Sequence, residues 1–289
     1  MTFSAITTVI SAATNYDLTD LATVKTELSI TQPTNDTWLG KAISQVSRAI
    51  AAYVKRVMVP EVVQDSFDFQ SRHRGHSASG VAGLQLSRWP VLSVVSVVQT
   101  LTPTTLIEGT DFQTDALTGE LIRLNSSGVA TLWEAEPVTV IYMAGFGTAN
   151  SEAHTVPAAP YQVTATPVFS CDQSVSYANG TKLTRVSSGP AAGQYSVVAG
   201  LYTFAAADTG QVLTFAYGAK VIPDDLIEIC LRLVGARFSA KGRDPTLIQQ
   251  ETPGVGTQRY WFGGAPGQTG PFAPDIEHSL EPYCMPVMA

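Results

Sequence analysis

Apolar side chains recur at helical spacing in the N-terminal part of the chain. In the segment DLTDLATVKTELSI they lie three or four positions apart, and Thr19 stands where an N-cap is expected. After Pro33, the segment DTWLGKAISQVSRAIAAYVKRVMVP repeats this spacing, and Pro60 is predicted to end the helix. Its apolar stripe consists of Leu39, Ile43, Val46, Ile50, Val54 and Val57. The two segments predict an antiparallel helical hairpin.

From Val62 onward the apolar period changes from helical to alternating, which is typical of β-strands. VVQDSFDF alternates, LQLSRWP is a short strand, and VLSVVSVVQTL is apolar on both faces, as a central strand is. DFQTDALTGELIRL predicts a hairpin that turns near Thr118–Gly119, and VTVIYMAGF predicts a further strand. Helices followed by a mostly antiparallel sheet indicate an α+β fold.

A charge-poor region of short strands follows, from about His154 to Gly218. Its strand-like segments are separated by turn signals at Asn179–Gly180, Gly189–Pro190 and Thr209–Gly210. About sixty residues with this spacing predict a small all-β sandwich of immunoglobulin-like type. We therefore interpret residues 155–218 as a domain inserted into a core formed by residues 1–154 and 219–289.

The segment IPDDLIEICLRLVGARFSAKGRDP predicts the last long helix. Pro223 suits the first turn, Asp224 and Asp225 favour the positive end of the helix dipole, and Gly242 with Pro245 ends it. This C-terminal helix is predicted to pack with the hairpin and the sheet. The segment PDIEHSLEPY predicts one more short helical turn.

A Gly- and Pro-rich arm, from about residue 246 to residue 289, follows that helix. It has few aliphatic residues but carries the aromatic residues Tyr260, Trp261, Phe262 and Phe272. Aromatic side chains are favoured anchors at protein interfaces, so these four are predicted to bind a partner. On this hypothesis residues 246–274 become ordered only upon binding. The alternative is a loop that folds back on its own subunit.

Composition limits the classes of protein to which the chain can belong. Hydrophobic residues make up 45% and charged residues 14%, and the net charge is −7. The acidic balance argues against tight binding of nucleic acid, whose affinity comes mainly from neutralised phosphates. Three widely spaced cysteines predict reduced thiols rather than disulfides or a zinc site. The chain shows neither a typical signal peptide nor a long enough apolar run, so we expect an intracellular protein without membrane contact.

One polar loop is a candidate for chemistry. SRHRGHSASG brings together Arg72, His73, Arg74 and His76, which could meet a phosphate backbone, a metal or an acidic partner. The Gly- and Ser-rich surroundings favour a solvated loop, and no Cys, Asp or Glu at ligand spacing supports a metal. The glycine pairs in AGFGTAN and GVGTQR lack the last glycine of the dinucleotide fingerprint. We therefore predict no catalytic, cofactor or metal site, and no enzymatic activity.

The order of the segments resembles the head-to-tail connector family of tailed bacteriophages, also called adaptor or head-completion proteins. The resemblance rests on a helical hairpin followed by RWPVLSVVSV, EGTDFQTDALTGELIRL and a strand ending in AGFG. It continues with IPDDLIEICLRLVGARF and KGRDP. It covers nearly all of the chain outside residues 155–218, and that insertion departs from the family pattern.

The resemblance implies a structural virion protein of the neck, synthesised in the bacterial cytoplasm. It implies a ring, usually of twelve copies, that lies below the portal protein and joins the head to a tail terminator or stopper protein. Such a ring extends the DNA channel and touches the genome only transiently and without sequence preference. It needs no cofactor. The acidic net charge agrees with this role, because a basic channel would retain DNA.

Two other interpretations remain open at this point. A β-rich tail or baseplate protein would use the sandwich to bind a glycan or receptor on the host. A hydrolase would need a pocket that gathers residues such as His73, His76 and Asp68. The helical hairpin and the Pro-Asp-Asp helix start favour the connector, because neither belongs in a pure receptor-binding protein.

Overall fold

The structure is a computed structural model, and it describes residues 5–68, 83–101, 103–133, 136–166, 168–241, 249–252, 256–259 and 272–284. Within the chain, contacts define two compact units. The first unit, Met1–Asn15 with Val59–Val221, contains all the sheets described below except one two-stranded hairpin. The second unit, Tyr16–Met58 with Ile222–Ala289, contains the helices. The protein is thus α+β, as predicted.

The first unit contains two sheets before the predicted insertion. Their strands are β1 Ile6–Ser11, β2 Glu61–Phe67, β3 Gly83–Gln85, β4 Val91–Gln99, β5 Thr104–Leu106, β6 Phe112–Asp115, β7 Glu120–Leu124, β8 Ala130–Thr131 and β9 Val138–Ala144. One sheet has the order β1-β2-β9-β4-β5, and the other has the order β3-β7-β6, with β8 paired to β7. Every pairing in these two sheets is antiparallel. The hairpin near Thr118–Gly119 is confirmed, since β6 and β7 flank it.

These two sheets share one apolar core. Val63 and Phe67 of β2, Tyr142 of β9 and Leu121 of β7 all belong to the same buried cluster. Trp133 lies fully buried in it and donates its Nε1–H to the Leu121 carbonyl at 2.9 Å. A buried indole with a satisfied N–H both fills space and fixes the position of the neighbouring strand.

Seven further strands in two sheets follow β9 and overlap the predicted insertion, although β10 lies almost wholly before its predicted start at residue 155. They are β10 Gly147–Thr155, β11 Gln162–Thr164, β12 Phe169–Tyr177, β13 Thr184–Arg185, β14 Gln194–Val198, β15 Leu201–Phe204 and β16 Val212–Lys220. The orders are β10-β16-β12 and β11-β15-β14-β13. An aromatic-rich cluster that includes Tyr195, Tyr202 and Phe215 draws residues from both sheets. The predicted boundaries at residues 155 and 218 fall inside the first unit and stay a prediction.

The second unit packs helices together. They are α1 Leu21–Glu27, α2 Asp36–Val54, α3 Asp224–Ser239 and α4 Pro274–Leu280, and a hairpin is formed by β17 Gln249–Thr252 and β18 Gly256–Arg259. Helices α1 and α3 both contact α2, and α4 contacts α3. The buried stripe of α2 includes Leu39, Ile43, Val46, Ile50 and Val54, as predicted, whereas Val57 lies beyond the end of the helix and is half-buried.

Two helix ends differ from the sequence-based expectation. The N-cap of α1 is Asp20 rather than Thr19, because the Asp20 carboxylate accepts the Thr23 N–H at 2.7 Å. Helix α2 ends at Val54 rather than close to Pro60. Lys55 adopts a left-handed conformation (φ 57°), which stops the helix before proline sterics apply.

Candidate subunit interface

Strand β1 is an uncovered edge strand. It lies at the end of the five-stranded sheet and pairs with β2 on one side, and no strand of the described residues pairs with its other edge. Every residue from Ile6 to Ile10 is exposed, including the aliphatic side chains of Ile6 (72%), Val9 (42%) and Ile10 (51%). An exposed apolar edge offers unpaired backbone groups and apolar contact area together, which is typical of a protein-binding surface.

The register shows why β1 stays uncovered. Val9 lies opposite Val63, so the two side chains share the face of the sheet that forms the core. Val63 is completely buried, whereas Val9 is not. The core therefore ends at β2, and β1 extends the sheet beyond it.

A buried carboxylate fixes β1 to the body of the sheet. Asp65 on β2 is fully buried and accepts the Thr7 hydroxyl from β1 at 2.7 Å. It also accepts the Ser87 backbone N–H, the Ser87 hydroxyl and the Tyr142 hydroxyl, each at 2.8 Å. Burial, reinforced by the Asp65 charge, raises the pKa of Tyr142, so this phenol remains a proton donor. Four donors satisfy the carboxylate, as a buried charge requires.

A second buried carboxylate lies at the start of β2. Glu61 forms an ion pair with Arg88 and accepts the Ala13 backbone N–H at 3.4 Å. It joins the segment that follows β1 to the connection between β3 and β4. Both carboxylates therefore hold separated segments of the chain together.

The opposite edge of the same sheet is the three-residue strand β5. Leu101 and Ile107 flank it, and each is 63% exposed. Short edge strands limit the number of backbone hydrogen bonds that a partner can form. Strand β1 is therefore the larger of the two open edges.

The glycines of the AGFG sequence lie where the chain leaves β9 and enters β10. Gly145 has φ +136°, and a Cβ there would lie 2.6 Å from the backbone of Val59 and Pro60. A Cβ at Gly147 would lie 2.1 Å from the Ala219 carbonyl oxygen of β16. Only glycine fits both positions, because in each case the added Cβ would overlap main-chain atoms, which cannot rotate away as a side chain can.

The strands that follow β9 are also held by a buried carboxylate. Asp172 on β12 accepts the Tyr195 hydroxyl at 2.7 Å and the Tyr202 hydroxyl at 2.9 Å, and Arg185 lies 3.7 Å away. Burial raises the pKa of Asp172, while the two phenols and Arg185 oppose that shift. The cluster joins the two sheets of this region across their core.

Glu152 on β10 forms a more exposed polar cluster. It accepts the Tyr217 hydroxyl, the Thr166 N–H at 3.1 Å and the Thr166 hydroxyl at 2.8 Å, and it lies 2.9 Å from His154. Partial burial raises its pKa, but hydrogen bonds from Tyr217, Thr166 and His154 outweigh burial. They lower the pKa of Glu152 from 4.5 to about 2.

This shift predicts a defined pH dependence. A carboxylate with a lowered pKa stabilises the folded protein fully above its unfolded pKa. The contribution of Glu152 to the free energy of unfolding is therefore complete above about pH 4.5, and it disappears as the pH falls towards about 2. At pH 6 the melting temperature of Glu152→Gln should be lower than that of the wild type. This difference in melting temperature should shrink steadily as the pH falls towards 2, as measured by thermal denaturation. The exposed Glu228→Gln on α3 serves as the control for the loss of one carboxylate at the surface. A Glu152→Gln difference independent of pH would contradict the assignment.

The cysteines of the structure are free. Burial raises the pKa of Cys171 to about 12 and that of Cys230 to about 11, so both thiols stay protonated and unreactive. Cys171 packs with Val62 and Met143 on the face of the five-stranded sheet that lies opposite the main core. This placement agrees with reduced, structural cysteines.

Among the predicted partner-binding residues, Phe272 lies inside its own unit. It is 8% exposed, and its ring packs edge-on against Tyr53 of α2, with the centroids 5.5 Å apart. This placement differs from the expectation of a partner contact, because α2 provides a neighbour that the sequence could not indicate. Strands β17 and β18 likewise form a hairpin within the predicted arm.

The other predicted site residues lie outside the described part of the chain. This applies to Tyr260, Trp261 and Phe262 of the arm, and to the loop residues Arg72, His73, Arg74 and His76. Within the described ranges, no group of three or more His, Cys, Asp or Glu side chains could hold a metal ion. The described helices include none that is long and apolar enough to cross a membrane.

Sequence reasoning missed β1 and its exposed residues Ile6, Val9 and Ile10. A signal was present, because ITTVI consists only of β-branched residues, which favour strands. The segment does not alternate strictly between apolar and polar residues, so it did not predict a half-buried strand.

Comparison with known proteins gives little further information. No protein-family model matches this chain, and no curated protein does. One solved structure that the chain resembles is described as "Neck of empty GTA particle computed with C6 symmetry". The match has 10% sequence identity and a TM-score of 0.43, and it covers 98% of this chain and 97% of the other. At this level of similarity, we draw no conclusion about this chain from the match.

Proposed function

We propose that this chain is a structural subunit of the neck of a tailed bacteriophage or phage-like particle. On this proposal it forms a ring below the portal protein, extends the DNA channel and offers a docking surface to a tail terminator or stopper protein. The ring contains about twelve copies, as is usual in the family that the sequence resembles.

The path of the chain around the inserted strands is the observation that carries the proposal. Strand β10 pairs with β16 along its whole length, from Gly147 opposite Lys220 to Thr155 opposite Val212. The Val221 N–H donates to the Phe146 carbonyl at 3.2 Å. The chain therefore leaves β9 at Phe146 and comes back to the same place at Val221. The segments that carry the connector resemblance all form helices or strands outside this pairing, namely α1, α2, β4, β6, β7, β9 and α3.

The buried carboxylates of the described residues support a structural role. Asp65, Glu61 and Asp172 each hold separated strands or segments together through hydrogen bonds or an ion pair. Their oxygens are occupied by donors from the fold itself, and such groups contribute to stability. The net charge of −7 also suits a channel through which DNA must pass.

The proposal assigns partner binding in the arm to Tyr260, Trp261 and Phe262, without Phe272. A triple Tyr260→Ala, Trp261→Ala, Phe262→Ala variant should lose binding to purified portal protein and keep the melting temperature of the wild type. Phe272→Ala, in contrast, should lower the melting temperature, because it removes a buried ring. Normal portal binding by the triple variant would overturn this assignment.

The inserted strands are proposed to form an immunoglobulin-like module at the outer rim of the ring. Val168 and Val198 of this module are well exposed, and both could contact the capsid or the tail. Replacing both residues with serine should weaken tail attachment without changing ring formation. Unchanged attachment in a tail-joining assay would exclude these two residues from the contact.

Copy number tests the proposed function as a whole. Quantitative mass spectrometry of purified particles should find this chain at about the same copy number as the portal protein. Particles made without the chain should contain packaged heads that lack tails. A much lower copy number, with cross-links to tail-fibre or baseplate proteins, would instead support a receptor-binding protein of the tail.

A further inference from the structure

We propose that two copies of the free protein associate through strand β1, in an antiparallel and two-fold symmetric pairing. The two five-stranded sheets would then continue into one ten-stranded sheet. This inference rests on the geometry of β1 and does not depend on the proposed neck function.

The first support is the composition of the edge. The segment Ile6–Ser11 contains no charged residue and no proline, and its first five residues are all β-branched. Natural edge strands are usually protected by lysine, proline or a covering element. Among the described residues no strand pairs with the outer edge of β1, and the residues from Ile6 to Ile10 are exposed, although β12 contacts the strand and Arg185 donates to the buried Ser11 at its end.

The second support is that the edge is complementary to itself. In an antiparallel pair related by a two-fold axis, the axis must pass beside one residue, which then lies opposite its own copy. With Thr8 at the axis, Thr7 lies opposite Val9 of the second copy, and Ile6 lies opposite Ile10. Cross-strand pairs of β-branched and aliphatic residues of this kind stabilise a sheet.

One irregularity limits the length of the pairing. The register between β1 and β2 shifts between Val9 and Ser11, which marks a bulge at Ile10. The residues from Ile6 to Val9 remain regular, so the Thr8 pair and both Thr7–Val9 pairs lie in undistorted strand.

The opposite edge of the sheet is a poorer partner for β1. Strand β5 has three residues, and it runs in the same direction as β1, because all four pairings between them are antiparallel. Joining β1 to β5 of a copy with the same orientation would give a short parallel pair. A second β1 matches the full length of the edge, and we therefore assign β1 itself as the partner.

Such a dimer is distinct from a ring contact. In a cyclic ring all subunits have the same direction around the axis, and each contacts its neighbour through two different surfaces. In the two-fold pair the two copies face each other through the same surface. The dimer therefore belongs to the free protein and would have to open before β1 could take part in a ring.

Introducing a charged side chain at Thr8 tests the pairing. Thr8→Lys places two like charges directly opposite each other across the axis, and Thr8→Glu does the same with the opposite sign. In sedimentation equilibrium, wild type should show a two-subunit mass, and each variant alone should dimerise at least about tenfold more weakly. An equimolar mixture of the two variants should regain the dimer. Thr8 is exposed, so the substitutions leave the core intact.

Cross-linking gives an independent measurement. In a Cys284→Ser background, which leaves two buried cysteines, Thr8→Cys should form a disulfide-linked dimer on mild oxidation. The matched control is Thr105→Cys on the exposed part of β5, which should form no disulfide-linked dimer under the same conditions. A monomeric wild type, or a mixture of charge variants that does not dimerise, would overturn the proposal. Cross-linked chains longer than dimers from a Thr8→Cys, Thr105→Cys double variant would also overturn it in favour of head-to-tail pairing.

Discussion

Replacing Asp65 with alanine is expected to lower the free energy of unfolding by about 3–5 kcal/mol, because it removes a fully buried carboxylate and leaves the buried Tyr142 hydroxyl and the half-buried Ser87 donors without their acceptor. The carboxylate accepts hydrogen bonds from Thr7, Ser87 and Tyr142, which lie on separate segments of the first unit. Each buried donor that loses its acceptor costs about 1–3 kcal/mol, although Ser87 can rotate its hydroxyl. Urea denaturation of Asp65→Ala and wild type measures the difference.

Thr7→Val is the matched control for this prediction. It keeps the shape of the side chain and removes only the hydroxyl that joins β1 to Asp65. We expect a loss of about 1 kcal/mol or less, with faster hydrogen exchange confined to the amides of β1 and its partner residues on β2. A loss below about 1 kcal/mol for Asp65→Ala would show that this carboxylate does not hold the sheet together.

Replacing Gly145 with alanine is expected to lower the free energy of unfolding by at least about 3 kcal/mol. Two costs combine at this position. First, the backbone has φ +136°, a conformation that is strongly unfavourable for any residue with a Cβ. Second, the new Cβ would lie 2.6 Å from the backbone of Val59 and Pro60. The overlapping atoms belong to the main chain, so no side-chain rotation can relieve the overlap. Thermal and urea denaturation of the purified variant measure the loss.

Gly128→Ala separates the two costs. Gly128 also has a positive φ (+73°), but nothing lies within 4 Å of its added Cβ. Only backbone strain applies there, and we expect a loss of about 1–2 kcal/mol. If both substitutions cost the same, the close approach of β9 to the Val59–Pro60 backbone is not what requires glycine at position 145.

The elements that could be predicted from the sequence are those whose signals are local. The stripe of α2 and the hairpin between β6 and β7 depend on residues close together in the chain, and both lie where expected. The predicted end of α2 at Pro60 was wrong, because Lys55 adopts a left-handed conformation that no sequence pattern indicates.

The features that were missed depend on distant partners. Strand β1 is held by β2 and by the contact of Thr7 with Asp65, which is 58 residues away in sequence. Phe272 is buried because Tyr53 lies beside it in the fold. A pattern of apolar and polar positions indicates that a residue prefers burial, but it does not indicate which segment covers it. The exposed β1 edge could therefore be recognised only after the sheet order was known.

The most direct test of the neck assignment is a cryo-EM reconstruction of the particle at the junction of head and tail. The account predicts density for this chain in a closed ring directly below the portal, with the DNA channel running through its centre. Density for this chain at the distal end of the tail, with none at the junction, would contradict it.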